Sequence, residues 1–343
     1  MAVIPFNKQS AVKLFKADDP NIHYIGRVDF TNPQIPRFGS AGVYIKAKFK
    51  GSFCEFIIND EVLYNINHNY LEIAIDDQVP YRIELTAKEN IIKVAEGLAN
   101  TTHVITICKD TESHIGYLDF IGFRCEQLLP LPAEPKRKIE FIGNSITSGA
   151  GMDQSKVPCN TGLWFDQHNA YMSYGARAAR ALNAQWQLTS VSGIGLIHSC
   201  CDLKITMPQV FDKVYLRKDS AQWDFKRYQP DVVTICLGQN DGIQDSTVFC
   251  GAYVKFIGIV RSKYPQADII CMSSPMADAQ LTAVLKRYLA GTTNYVNARG
   301  DKKVHRFYFS RSYNKGCGGH PDMEDHQHIT DELTAYIKQV KGW

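Results

Sequence analysis

Ser145, Gly193, Asn240 and His320 are the residues of this chain whose types together describe a reaction. A serine hydroxyl is a weak nucleophile and requires an adjacent base. An imidazole with an ordinary pKa near ~6.5 can serve as that base and later as an acid. Attack on an ester carbonyl builds negative charge on oxygen, which needs donors already in place. The backbone N–H groups of Ser145 and Gly193 and the side-chain amide of Asn240 form such a set, each contributing roughly two to three orders of magnitude in rate. The absent Cβ of Gly193 lets backbone approach a substrate closely. The chemistry is acyl transfer through a serine, and it requires no metal or organic cofactor.

Each residue also has a plainer reading. Ser145 alone is an ordinary turn serine. Asn240 and Asp241 can cap the turn that follows them, and Asp241 is assigned to that structural duty. Gly195 competes with Gly193 for the oxyanion role, and both can equally serve the turn. His320, His326 and His328 stand among Asp322, Glu324 and Asp325, yet no zinc spacing such as H-E-x-x-H occurs; no metal is expected. His326 falls on the apolar face of the last helix and reads as a core histidine. Gly193-Ile194-Gly195 lacks the third glycine of a dinucleotide loop, position 198 being His. Trp164, in the long segment after Ser145, is a candidate for stacking on a bound substrate, with local packing as its plainer role; His168 and Tyr171 nearby are left to packing.

The elements that must bring these residues together belong to one half of the chain. After position 137 strands and helices alternate. Strands are expected at Lys138–Ile142, Trp186–Val191, Asp231–Leu237, Asp268–Ser273 and Val304–Phe309. The apolar run VVTICL marks a strand buried on both faces of a parallel sheet. Helices are expected at Ala170–Leu182, Val248–Lys263, Gln280–Leu289 and Asp322–Val340, with Pro321 in the first turn of the last. This is a three-layer, flavodoxin-like α/β domain. Ligands of such sheets bind beyond the carboxyl ends of the strands, where all four residues fall. Residues 1–130 read instead as an all-β, jelly-roll-like sandwich, with strands Gly42–Phe49, Phe53–Ile58, Tyr81–Thr86, His103–Cys108 and Ile115–Phe123. Three prolines in LPLPAEPKRK, residues 129–138, make a stiff connection, so the domains are set at 1–130 and 136–343.

Composition excludes other classes. The 343 residues carry 38 Lys plus Arg against 35 Asp plus Glu, a net charge of +3, too even to predict nucleic acid or an acidic membrane as partner. No apolar stretch is long enough to span a bilayer. The opening MAVIPFNKQSAVKLF lacks a signal-peptide core, so the chain either stays in the cytoplasm or has lost a leader. Ten cysteines without a C-x-x-C pair are expected to be buried free thiols, the adjacent Cys200-Cys201 being the odd feature.

The segments FIGNSITSGAG, VSGIG, GQND and GCGGHP resemble, in order, the nucleophile, glycine, asparagine and histidine blocks of the SGNH (GDSL-type) hydrolases. With a β-sandwich in front, and GLANTTHVITICKDTES followed by FIGF, the whole chain resembles carbohydrate esterase family 2. That resemblance implies an O-acetyl esterase acting on acetylated plant polysaccharide, of xylan or glucomannan type, usually secreted or periplasmic. It implies Ser145 as nucleophile, His320 as base and acid, and Gly193 and Asn240 completing the oxyanion hole with Ser145. Two departures stand out. Asn144 replaces the usual Asp before the serine and is expected to hold the turn through a local hydrogen bond. Cys317 occupies the place of the Asp that commonly orients the histidine; losing such a carboxylate in another serine hydrolase costs about 10⁴-fold. A backbone carbonyl near Cys317–Gly318 is therefore expected to hold His320 Nδ1. Gly319 precedes the histidine where some relatives carry an aromatic. The rival readings are an SGNH lipid or thioester hydrolase and a non-catalytic glycan-binding protein. No oligomeric state is read from the sequence.

Overall fold

The computed structural model describes residues 12–94 and 97–343; most of the stretch read for a leader lies outside them. Among the described residues, Lys13–Leu129 form nine antiparallel strands. Their alternating pattern buries Ile45, Ala47, Phe49, Phe56, Ile58, Leu71 and Ile73 in one apolar core. The two strands expected at Gly42–Phe49 and Phe53–Ile58 are one strand, Tyr44–Asp60. Lys50-Gly51-Ser52 reads as a turn, but Gly51 takes φ +113° and the residues form an irregularity between Lys50 and Cys54. The strand continues past it, pairing first with Thr102–Lys109 and then with Glu89–Lys93.

The second half holds five parallel strands, numbered within their sheet: β1 Arg137–Gly143, β2 Ala184–Ser190, β3 Val232–Ile235, β4 Asp268–Met272 and β5 Val304–Phe307. Their order is β2-β1-β3-β4-β5, the flavodoxin-like order. Six helices accompany them: α1 Ser145–Ser148, α2 Tyr174–Ala181, α3 Met207–Val210, α4 Ser246–Lys263, α5 Ala279–Ala298 and α6 Met323–Lys341. One face of the sheet packs on α2 and α6 through Tyr174, Ala178, Ile329, Leu333 and Ile337. The other packs on α4 and α5 through Phe249, Tyr253, Phe256, Leu281 and Leu285. All four residues of β3 are buried, as a strand covered on both faces requires.

Several boundaries shift by a few residues, and three differences at the helices have a visible cause. Helix α5 runs past Leu289 to Ala298, because Thr292 and Thr293 are buried and Asn297 Nδ2 donates to Val304 O (2.8 Å), tying the helix end to β5. Helix α2 begins at Tyr174, whose N–H donates to His326 Nδ1 (3.0 Å). Pro321 lies before the cap of α6, not in its first turn: Asp322 is the N-cap, accepting from Asp325 N (2.8 Å).

The halves are welded together. Arg27, wholly buried, donates to Phe211 O (2.6 Å), Lys213 O (2.7 Å) and Glu140 Oε1 (3.1 Å) on β1. Tyr44 stacks on Trp186 at 3.9 Å, and Trp186 Nε1 donates to Gly42 O (3.0 Å). A buried ion pair contributes little net stability, but it is costly to satisfy in any other arrangement, which fixes the docking of the halves.

Candidate active site

Ser145 follows β1 at the start of α1. Asn144 caps this short helix, its Oδ1 accepting from Ile146 N (3.1 Å), so the turn is held without an aspartate. His320 lies in the loop before α6, 175 positions away, and its Nε2 is 2.9 Å from Ser145 Oγ. Its Nδ1 is 3.1 Å from Cys317 O. A carbonyl oxygen only accepts, so Nδ1 carries the hydrogen and Nε2 is left bare to accept from the serine hydroxyl. Burial lowers the His320 pKa below its ordinary value, and the Cys317 carbonyl opposes this in part. The imidazole is thus neutral at neutral pH, with Nε2 unprotonated and able to accept the serine proton.

Loop packing fixes that carbonyl. Cys317 N donates to Gly151 O (2.8 Å) and Gly316 N to His320 O (2.6 Å). Gly151 has φ +68°, and a Cβ there would stand 2.6 Å from Cys317 O, so only glycine lets the two loops meet. Cys317 is also disulfide-bonded to Cys159, and Cys200 to Cys201. Here the expectation of free thiols is corrected. Cys54, Cys108, Cys125, Cys236, Cys250 and Cys271 are free, while four cysteines pair because the fold brings separate loops, and two neighbours, together.

Gly193 and Asn240 line the same cleft as Ser145 and His320, about 990 Å³ in volume. Gly193 takes φ +78°. Gly195 serves the turn itself. Its N–H donates to Ser199 Oγ (3.0 Å), and a Cβ would collide with His198 O. Asn240 Nδ2 donates one hydrogen to Ile194 O (2.8 Å), which orients the amide and leaves its second hydrogen available. Asp241 Oδ1 accepts from the N–H groups of Leu196 (3.0 Å), Ile197 (2.7 Å) and His198 (3.0 Å), binding the glycine block to the asparagine block.

Trp164, 56% exposed, borders the cleft with its ring edge-on to His168 at 4.9 Å. The histidines after His320 do not join the site: His326 is buried beneath Tyr174, and His328 pairs with Glu324 on the surface. Sequence reasoning missed Glu112 and left His168 to packing. Both are buried and line the cleft, their side chains 3.2 Å apart. Nothing in the spacing of residues 112 and 168 signals that a β-domain loop reaches this far.

A serine hydrogen-bonded to a neutral histidine, at the carboxyl edge of a 2-1-3-4-5 parallel sheet, defines a carboxylic ester hydrolase of the GDSL kind. Residues 141–307 match the GDSL-like lipase/acylhydrolase family, and residues 24–133 match the carbohydrate esterase 2 N-terminal domain. A family two carbohydrate esterase from Clostridium thermocellum, solved with cellohexaose, superposes with a TM-score of 0.86 at 32% identity, covering 94% of this chain and 99% of that one. The chain belongs to carbohydrate esterase family 2. It is 33% identical over 341 residues to the cellulase/esterase CelE of Acetivibrio thermocellus, covering 95% of this chain but only 40% of that longer protein. It is 28% identical over 344 residues to an acetylxylan esterase/glucomannan deacetylase of Cellvibrio japonicus, covering 97% of this chain and 93% of the relative.

Proposed function

We propose that this esterase removes O-acetyl groups from acetylated plant polysaccharide or oligosaccharide of the xylan or glucomannan class, using Ser145 and His320 as its catalytic pair. Ser145 Oγ attacks the acetyl carbonyl while its proton passes to His320 Nε2. The oxyanion is received by the Ser145 and Gly193 N–H groups and the free hydrogen of the Asn240 amide. The intermediate collapses, His320 returns the proton to the departing sugar oxygen, and acetyl-Ser145 remains. His320 then takes a proton from water as the water oxygen attacks the acetyl carbonyl. The second intermediate breaks the Ser145 Oγ–carbon bond, His320 returns its proton to Oγ, and acetic acid leaves to ionise as acetate. Cys317 O replaces the missing aspartate in holding the tautomer. Trp164 is the stacking surface for a sugar ring.

The observation that carries this reading is the 2.9 Å hydrogen bond between Ser145 Oγ and His320 Nε2, with Nδ1 held by a carbonyl. The substrate class is supported by the activity for which the Cellvibrio japonicus relative is named. The test is Ser145→Ala, assayed with an aryl acetate, acetylated xylan, acetylated glucomannan and simple sugar acetates, alongside labelling by a serine-directed phosphonate. Wild type releases acetate and is labelled; the variant does neither. Preference for long acyl chains, or wild type inert on every acetyl ester, overturns the reading.

A further inference from the structure

The β domain does more than flank the cleft. Residues 110–114 follow the strand Thr102–Lys109 and are all buried except His114, which is half-buried. Lys109 is itself wholly buried, and its ammonium donates to Thr111 O (2.7 Å), Thr111 Oγ1 (3.2 Å) and Glu112 O (3.3 Å). Thr111 Oγ1 donates to Asn69 Oδ1 (2.6 Å), and Asp110 Oδ1 accepts from Tyr171 N (3.1 Å). The loop is therefore fixed from both domains, and it presents one carboxylate to the cleft.

That carboxylate is fully engaged. Glu112 Oε2 accepts the Ser192 N–H at 2.6 Å, and Oε1 accepts His168 Nε2–H at 3.2 Å. Burial by itself raises the Glu112 pKa, but the hydrogen bonds from His168 and Ser192 hold it below the ordinary carboxyl range, so the group is charged. A charged acceptor makes the stronger kind of hydrogen bond. Ser192 is the residue before Gly193. Its turn is otherwise held by Ile194 N to Val191 O (3.2 Å) and Cys200 N to Gly193 O (2.9 Å). Both of those anchors lie within the catalytic domain; Glu112 ties the turn to the β domain.

We propose that Glu112 is a positioning residue for acyl transfer: the β domain holds its carboxylate against the Ser192 N–H and so fixes the turn that carries the Gly193 oxyanion donor. The proposal rests on the assignment of Ser145 and Gly193 above. It makes the β domain part of the active site, because the anchor of an oxyanion donor comes from a separate sheet. The carboxylate touches no reacting atom; its effect passes through the peptide that follows Ser192.

The test uses the full chain with Glu112→Ala, Glu112→Gln and Ser145→Ala, assayed on an aryl acetate. Loss of one oxyanion donor costs roughly 10²–10³-fold in kcat, so Glu112→Ala should lower kcat by about 100-fold with KM within about threefold of wild type. Glu112→Gln should fall between, by about tenfold, because an amide oxygen serves one N–H while its NH2 group faces the other. In the wild-type chain the Ser192 amide proton should resonate well downfield and exchange slowly. Two variants with wild-type kcat, a loss borne by KM instead, or an ordinary Ser192 amide signal overturns the proposal. The amide signal decides if neither variant folds. Turnover by Ser145→Ala would instead sink the underlying assignment of the catalytic pair.

Discussion

Replacing Cys159 by serine separates the two supports of the His320 tautomer. The Cys317 carbonyl stays in the chain, but its covalent tether to Cys159 is gone. Beside the turn bond from His320 N to Cys317 O (3.2 Å), which moves with the released segment, three hydrogen bonds from backbone N–H groups then hold the base of the loop: Cys317 N to Gly151 O, Gly316 N to His320 O, and Lys315 N to Asp325 Oδ2 (3.0 Å). At about 1 kcal/mol each they contribute about 3 kcal/mol. Glycines at 316, 318 and 319 make the loop pliant. Releasing those residues returns about 1–2 kcal/mol apiece in backbone entropy. The balance disfavours the aligned loop by about 1.5 kcal/mol, or roughly tenfold in kcat. That is far short of the ~10⁴-fold cost of presenting the wrong tautomer. Stability should fall as well: a cross-link between positions 158 apart contributes up to about 5 kcal/mol on the chain-entropy scale. The assay is aryl-acetate turnover and thermal unfolding of wild type and Cys159→Ser, each with and without a thiol reductant. Reductant should bring wild type down to the variant. Any further loss in the reduced variant belongs to Cys200–Cys201. A kcat for Cys159→Ser within twofold of wild type, or one reduced 10⁴-fold, would refute the account of how the loop is held.

Asn240→Ala removes a donor already aimed by Ile194 O, and kcat should drop by roughly 10²–10³-fold with phosphonate labelling slowed in parallel; an unchanged labelling rate counts against the oxyanion role. The pH profile follows from burial of His320. Its folded pKa lies below 6.5, and the base must be neutral to accept the serine proton, so kcat/KM should fall with decreasing pH only below 6.5; an acid limb centred above pH 7 contradicts this. Trp164→Ala should raise KM severalfold on acetylated polysaccharide while leaving aryl-acetate kinetics nearly unchanged, and equal effects on both would assign the ring to local packing.

Local pattern carried much of this protein. The period-2 strands before residue 130, the fully apolar run at β3 and the i, i+4 apolar face of α6 each state which side must be buried, because burying apolar surface drives folding. The order of the four short blocks placed Ser145, Gly193, Asn240 and His320 after β1, β2, β3 and β5, and the common edge of a parallel sheet did the rest. The need for an acceptor at His320 Nδ1 was also legible, since position 317 offers no carboxylate. The cystine linking residues 159 and 317, the reach of Glu112 into the cleft, and the burial of Arg27 against Glu140 were decided only by the folded chain. Pairing partners far apart in sequence leave no period or spacing to read. They are selected by how two sheets dock, and buried charge admits few ways of docking them.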